Sequence, residues 1–120
     1  MKARILHADD DGSVRAMVKR VLEAGGHQVR QARDGVEAID LFHEERPDLI
    51  VLDVAMPRLG GLQVLAVLNP AVTGIPVVLL TALRDRDTAD FAEFLGASRT
   101  FAKPFDVHEF LDAVRDLLAA

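Results

Sequence analysis

The run LIVLD at residues 49–53 decides the fold, together with the run ILHADDD at residues 5–11. In both, a short and largely apolar segment leads directly into aspartate. Such segments are typical of parallel strands that are buried on both faces. In an open α/β sheet, ligands bind just beyond the carboxyl ends of the strands. If the two strands are neighbours, Asp9, Asp10 and Asp53 meet at one place.

Three carboxylates at one place predict a cation. At ~4 Å, each pair of ionised carboxylates costs on the order of 4 kcal/mol at an effective dielectric constant near 20. Ligand sets made only of oxygen favour a hard cation, so we expect Mg²⁺, with Mn²⁺ as the alternative. The chain has no cysteine, which excludes a thiolate metal site and a disulfide framework.

Length and composition narrow the class of protein. A chain of 120 residues fits one domain, and half of its residues are hydrophobic, enough for a real core. The net charge of -5 argues against direct nucleic-acid binding. No apolar stretch is long enough to span a bilayer, and Met1 does not begin a signal peptide. The absence of cysteine fits a reducing cytoplasm, the location that we expect.

Five strand-like segments alternate with five helical segments along the chain. We predict strands at residues 5–8, 28–32, 49–53, 75–80 and 100–102. Gly25-Gly26 end the first helix, and Asp34 begins the second, with Glu37 at the capping-box position. The other helices are expected at residues 62–68, 85–95 and 107–118. Right-handed crossovers then give one parallel sheet with helices on both faces.

Polar residues also end the last two strands. Thr81-Ala82 follows the fourth strand, and Lys103-Pro104-Phe105 follows the fifth. With Asp9-Asp10 and the segment LDVAMP at residues 52–57, these motifs cover the chain in order and spacing. The chain therefore resembles the receiver domain of bacterial two-component response regulators, of the chemotaxis-regulator type, over its whole length.

The resemblance implies a flavodoxin-like fold with strand order 2-1-3-4-5. It implies that Asp53 is the phosphoacceptor, modified by the phosphohistidine of a histidine kinase or a histidine phosphotransfer protein. Asp10, Asp53 and the main-chain carbonyl of Ala55 would hold Mg²⁺ directly, and Asp9 would act through a metal-bound water. Such a domain is a signalling module rather than an enzyme, although it assists its own phosphoryl transfer and slow dephosphorylation.

The resemblance also gives roles to Thr81 and Lys103 and implies an output surface. The Thr81 hydroxyl would donate to a phosphoryl oxygen, and the Lys103 ammonium would pair with Asp53 or with that oxygen. A cis bond is expected at Lys103-Pro104. The output face would comprise residues 85–95, 100–102 and 106–119, and would serve a downstream protein, an output domain or a phosphorylation-dependent homodimer. Of Phe91, Phe94 and Leu95, we expect two in the core and one exposed.

Two positions depart from the family pattern. The family usually has an aromatic residue three positions before the lysine, where this chain has Thr100. Strand alternation is expected to point the neighbouring Phe101 to the opposite face. Ala55 and Leu83, two residues beyond Asp53 and Thr81, offer no acceptor to orient an attacking water, so we expect slow self-dephosphorylation.

Other classes of protein fit these residues less well. A binding module that has lost phosphorylation would lack one of the key residues, and all are present. A haloacid-dehalogenase-like phosphatase would need a second aspartate at position 55, and a flavin carrier would need a phosphate-cradling loop where Asp9-Asp10-Asp11 lie. Asp11 is expected only to cap the first helix, and His7 to be a hydrogen-bonded core residue. The sequence leaves open the partner kinase and whether the domain acts alone or within a longer regulator.

Overall fold

The computed structural model describes residues 2–82 and 86–120 of the chain. Within those ranges, five strands alternate with helices along the chain. The elements are β1 Arg4–Ala8, α1 Gly12–Ala24, β2 Gln28–Ala32, α2 Gly35–Glu44, β3 Leu49–Asp53, α3 Gly61–Leu68, α4 Pro70–Thr73, β4 Val77–Thr81, α5 Arg86–Phe94, β5 Arg99–Ala102 and α6 Val107–Ala119. None of the helices in the described part of the chain is long and apolar enough to cross a membrane.

The five strands form one parallel sheet in the order β2-β1-β3-β4-β5, so the predicted flavodoxin-like topology is confirmed. β1 lies beside β3, with Ala8 opposite Leu52, and this register brings their carboxyl ends together. Asp53 in turn lies opposite Leu80 of β4, and Thr81 lies opposite Ala102 of β5. The ends of four neighbouring strands therefore border one edge of the sheet.

Two apolar clusters cover the two faces of the sheet. Helices α2, α3 and α5 cover one face, where Phe42, Leu65 and Ala92 pack on the strands. Helices α1 and α6 cover the other, where Leu22 and Phe110 are fully buried. Because both faces are covered, β3 and β4 are buried along their whole lengths. This accounts for their uninterrupted apolar sequences.

The sequence predicts five helices, whereas the described residues form six. Asn69 ends α3 in the left-handed conformation at φ 49°, and Pro70 begins the short helix α4. Proline suits the first helical position because its missing N–H would have no helical partner there. The structure also begins β4 two residues later than predicted and places Gly61 inside α3. Asp85, which was expected to begin α5, lies outside the described residues.

The helix caps follow the predictions with one difference. Asp11 accepts hydrogen bonds from the backbone N–H groups of Ser13 and Val14, at 2.8 and 3.3 Å, and so caps α1 as expected. Asp34 caps α2 by accepting from the N–H of Glu37 at 2.9 Å. Its expected capping box is not formed, because the Glu37 carboxylate accepts from the backbone N–H of Arg33, one residue before the cap.

The aromatic residues near the predicted output face separate into two groups. Phe91 and Phe94 of α5 are 50% and 83% exposed, so the expectation that only one residue of their group would be exposed is wrong. Their rings are stacked, with centroids 6.3 Å apart, and both lie on the solvent side of a helix that buries only Ala92. Phe101, by contrast, is buried against Phe105 and Phe110 under α6.

Candidate functional site

The three predicted carboxylates meet at the carboxyl end of the sheet. Asp9 follows β1, Asp10 is the next residue, and Asp53 ends β3. One oxygen atom from each lies within 4.8 Å of the others. Asp9 and Asp53 are buried and Asp10 is exposed, so the cluster opens to solvent on the side of Asp10. The pairing of β1 with β3 is the cause of this convergence.

Lys103 supplies a positive charge to two of the three carboxylates. Its Nζ donates to Asp9 Oδ2 at 2.9 Å and lies 3.0 Å from Asp53 Oδ1. The peptide bond between Lys103 and Pro104 is cis, as expected. The sequence predicted the contact with Asp53, whereas the contact with Asp9 depends on strand positions that only the folded sheet decides.

Backbone hydrogen bonds fix the strand ends that carry these groups. The N–H of Lys103 donates to the carbonyl of Thr81 at 2.7 Å, and the N–H of Val54 donates to the carbonyl of Leu80 at 3.0 Å. Thr81 is the last residue of β4 and is only 3% exposed. The expected site residues Asp53, Thr81 and Lys103 therefore lie on adjacent strand ends that are tied to one another. Leu83 lies outside the described residues.

Burial and the neighbouring acids decide the charge state of the pair formed by Asp53 and Lys103. Burial raises the pKa of Asp53, Asp9 and Asp10 raise it further, and Lys103 opposes the rise. Burial alone would lower the pKa of Lys103, but hydrogen bonds and charge attraction from Asp9 and Asp53 outweigh burial, so its pKa is raised. The raised pKa keeps Lys103 positively charged. Any further positive charge nearby would stabilise the ionised form of Asp53.

The donor atoms of the cluster fit a hard divalent cation. The three groups are the carboxylates of Asp9, Asp10 and Asp53, so every potential ligand atom of the cluster is an oxygen. Asp9 Oδ1 accepts from the N–H of Asp11 at 2.9 Å, and Oδ2 is occupied by Lys103. Both oxygens of Asp9 are therefore already hydrogen-bonded, which leaves Asp10 and Asp53 with more capacity for direct metal contact.

Two side chains that the sequence analysis did not single out support β1 beneath the cluster. Arg15 of α1 donates from Nη1 to the carbonyl of Asp9 at 2.8 Å. Gln31 of β2 donates from Nε2 to the carbonyl of Arg15 at 2.7 Å and lies 3.0 Å from His7 Nδ1. Gln31 lies opposite His7 on the neighbouring strand. This pairing could have identified Gln31, but it can be known only once the register of the sheet is known.

His7 is buried, as expected, but only one of its ring nitrogens is hydrogen-bonded. Gln31 Nε2 donates to Nδ1, which places the ring proton on Nε2, and Nε2 has no hydrogen-bond partner among the described residues. Burial lowers the pKa of His7 to about 4, the largest of several influences, so the ring is neutral at pH 7. None of the four histidines joins the acidic cluster as a ligand within the described ranges.

The predicted departure at Thr100 is confirmed in its geometry. Phe101 packs with Val18 and Phe110 in the core beneath α1 and α6. Thr100 is half-buried and lines a groove of the opposite side with Ala89 and Glu93 of α5. The aromatic side chain of β5 therefore lies on the face of the sheet away from α5.

Known proteins resemble this chain in both sequence and structure. Residues 5–115 match the family described as the response regulator receiver domain. Sporulation initiation phosphotransferase F of Bacillus subtilis is 36% identical over 118 residues, which cover 98% of this chain and 95% of that protein. Response regulator MprA of a Mycobacterium strain is 44% identical over 119 residues, which cover 98% of this chain and 51% of that protein. The chain thus spans about half the length of MprA.

Solved structures of other proteins also resemble this chain. The receiver domain of Francisella response regulator 1452 superposes with a TM-score of 0.92 at 31% identity, covering 98% of this chain and 97% of that one. The Vibrio cholerae chemotaxis protein CheY4 superposes with a TM-score of 0.89 at 28% identity, covering 98% of this chain and 99% of that one.

Proposed function

Because this chain belongs to the family of response regulator receiver domains, we propose that it is switched by phosphorylation of Asp53 in a two-component system. The observation that carries the proposal is the position of Lys103 Nζ, 2.9 Å from Asp9 and 3.0 Å from Asp53, beside a third carboxylate. A buried acid with a fixed ammonium and a cation-binding carboxylate pair suits the transfer of an anionic group.

The proposed chemistry is a transfer from nitrogen to oxygen. A carboxylate oxygen of Asp53 attacks the phosphorus of a phosphohistidine on a histidine kinase or histidine phosphotransfer protein. The new bond joins oxygen to phosphorus, the bond from phosphorus to the imidazole nitrogen breaks, and the imidazole leaves with a proton from solvent. The product is an acyl phosphate on Asp53 and a neutral histidine on the partner.

The site must offset repulsion between Asp53 and the incoming phosphoryl group. Lys103 already carries the charge that pairs with Asp53, and the same ammonium can pair with a phosphoryl oxygen. The Thr81 hydroxyl, at the end of the adjacent strand, is suited to donate to another oxygen. Bound Mg²⁺ would supply further charge neutralisation, held by Asp10, Asp53 and the carbonyl of Ala55, with Asp9 acting through water.

A signal would leave the site through the strand ends and the α5 face. A phosphoryl group adds roughly 1.5–2 negative charges and new hydrogen-bond acceptors beside Thr81 and Lys103. The proposed output face comprises α5, β5 and α6, where Phe91 and Phe94 are exposed. Its occupant is a downstream protein, an output domain or a second phosphorylated copy, and the domain works in the cytoplasm.

Labelling with a small-molecule phosphodonor tests the proposal. We expect Mg²⁺-dependent incorporation of phosphate into the wild type and none into Asp53→Asn, because the amide is not a nucleophile. Asp40→Asn, which makes the same change on the exposed side of α2, is the matched control and is expected to label normally. A chase without donor measures the lifetime, which we expect to be long because Ala55 cannot orient an attacking water.

Two results would contradict the proposal. Equal labelling of the wild type and Asp53→Asn would refute the site. A wild type that takes up no phosphate from donor or kinase would favour the alternative, a binding module of the same fold that works without phosphorylation.

A further inference from the structure

The loop between β3 and α3, residues 54–60, carries the Ala55 carbonyl, and hydrogen bonds anchor both of its ends. The carbonyl of Val54 accepts from the N–H of Gly61 at 2.9 Å, and the N–H of Gly60 donates to Gln63 Oε1 at 2.8 Å. The N–H of Leu59 donates to the carbonyl of Pro57 at 2.7 Å, which forms a tight turn around Arg58. Ala55 lies between the anchored ends, three residues before Arg58.

Arg58 joins this loop to the beginning of α2. Its Nε donates to Asp34 Oδ2 at 3.0 Å, and its Nη2 lies 2.9 Å from Oδ2 and 3.2 Å from Oδ1. This two-pronged contact uses the planar fork of the guanidinium, which a lysine cannot reproduce. The same Asp34 carboxylate caps α2 at the N–H of Glu37, so one side chain holds both the helix and the loop.

Two further observations concern the backbone of this loop, which is strained at Arg58 and packs closely against α2. Arg58 has a φ of 65°, a left-handed conformation that is costly for a residue with a side chain. A Cβ atom on Gly35, the first residue of α2, would lie 2.1 Å from the carbonyl oxygen of Leu59, so the two backbones are in direct contact. The ion pair is therefore placed where it can offset the cost of the conformation at Arg58.

We propose that the ion pair of Arg58 with Asp34 is a positioning device for the metal centre, which sets the Ala55 carbonyl relative to Asp10 and Asp53. The inference rests on the proposed function, because it takes Ala55 as a metal ligand. Neither residue touches the acidic cluster, and both act through the backbone of residues 54–60. Loss of the pair is expected to weaken Mg²⁺ binding, because the loop would then sample positions with the carbonyl turned away.

The direction in which Mg²⁺ affinity changes when Arg58 is removed distinguishes a positioning role from a simple effect of its charge. The positive charge of Arg58 can only repel Mg²⁺, so removing that charge alone would leave Mg²⁺ binding unchanged or tighten it. If Arg58 positions the carbonyl, Arg58→Ala instead weakens binding. Arg33 is the matched control, because it is also exposed and adjoins Asp34, and the ion pair that its side chain makes in the described part of the chain is a long one, 3.8 Å to Glu37 of α2.

The experiment is a titration of the full chain with MgCl₂, followed by amide chemical shifts, for the wild type and four variants. We expect Arg58→Ala to raise the Kd for Mg²⁺ about threefold to tenfold, less than the roughly 10–100-fold typical of residues hydrogen-bonded to metal ligands, because Arg58 acts through the loop backbone. Arg58→Lys should show a smaller rise, since the charge stays and the fork is lost. Arg33→Ala should match the wild type or bind slightly more tightly.

Arg58→Gly keeps the test decisive if Arg58→Ala folds poorly. Glycine accepts a positive φ without cost, so this variant loses the ion pair while relieving the backbone. It is expected to fold and still to bind Mg²⁺ more weakly than the wild type. Thermal unfolding by circular dichroism confirms for each variant that the titration is made on folded protein.

The outcomes distinguish this inference from the proposed function. If Arg58→Ala and Arg58→Gly bind Mg²⁺ as tightly as the wild type while Asp53→Asn still abolishes labelling, the positioning role is refuted and the proposed function stands. If the wild type binds no Mg²⁺ and is not labelled, both fail together. Weaker binding in Arg58→Ala and Arg58→Gly, with Arg33→Ala unaffected, supports the positioning role.

Discussion

At the scale of single residues, the sequence predicted the candidate site residues and the pairing of Lys103 with Asp53, but not the other contacts that these residues make. Asp9, Asp10, Asp53, Thr81 and Lys103 were each predicted from strand ends or from the family pattern, and the structure brings the three acids and the lysine together. The contact of Lys103 with Asp9, 94 residues away along the chain, needed the folded sheet. The same is true of Arg15 and Gln31, whose partners lie on other elements.

His7 makes the protein sensitive to acid. Its pKa is lowered from 6.5 to about 4 by burial, so the unfolded chain binds this proton first as the pH falls. The free energy of unfolding should therefore decrease as the pH drops below about 6.5 and level off near pH 4. Between pH 7 and 4.5, we expect this histidine to account for a loss of about 2 kcal/mol.

Urea unfolding of the wild type and His7→Leu at both pH values checks this prediction. Leucine has a similar volume and cannot titrate, and Gln31 keeps its bond to the carbonyl of Arg15. The variant should lose about 2 kcal/mol less than the wild type between the two pH values. An equal loss in both proteins would show that His7 does not titrate differently in the folded state.

At the scale of elements, the ends of helices and strands were predicted well where a local signal exists. Asp11 and Asp34 cap α1 and α2 through their own side chains, as the sequence predicts. The start of β4 was less predictable, because Ile75 and Pro76 are as apolar as the strand that follows them. Only pairing with β3 decides which of these residues join the sheet.

Gly61 illustrates an element boundary that packing decides. The sequence predicts a helix that begins at residue 62, but the structure makes Gly61 the first residue of α3, close to the end of β3. A Cβ atom there would lie 2.2 Å from the carbonyl oxygen of Asp53. Gly61→Ala should therefore displace either α3 or the end of β3 that carries Asp53, and lower the free energy of unfolding by about 1–3 kcal/mol.

Gly12→Ala is the matched control for this prediction. Gly12 begins α1 as Gly61 begins α3, but its nearest contact would be Arg15 Nη2 at 3.4 Å, at the end of a flexible side chain. We expect no loss of stability, because alanine also favours the helix. Equal denaturant midpoints for the two variants in urea would refute the close approach at Gly61.

At the scale of the whole molecule, the exposed aromatic pair on α5 marks the proposed output face. Phe94 is 83% exposed, so Phe94→Ala should change the free energy of unfolding by no more than about 0.5 kcal/mol. It should nevertheless reduce self-association of the phosphorylated protein, if the proposed homodimer forms through this face. Sedimentation velocity before and after labelling measures the association.

Val72→Ala is the control for the surface prediction. Val72 is 79% exposed on α4, which is not part of the proposed face, so its removal should not alter association. If both variants associate as the wild type does, the face is not used for self-association.

Under this proposal, Phe101 has no part in the response to phosphorylation, because it is packed against Phe105 and Phe110.

The sequence by itself determined the fold class, the strand order through its family resemblance, and the residue types at the site. It could do so because apolar runs, helix caps and strand-end acids are local patterns that depend on neighbouring residues. Only the tertiary structure decided that Lys103 contacts Asp9, that Arg58 holds Asp34 and that Phe91 and Phe94 are both exposed. Those features depend on which elements lie side by side, and the contacts that decide this join residues far apart in the chain.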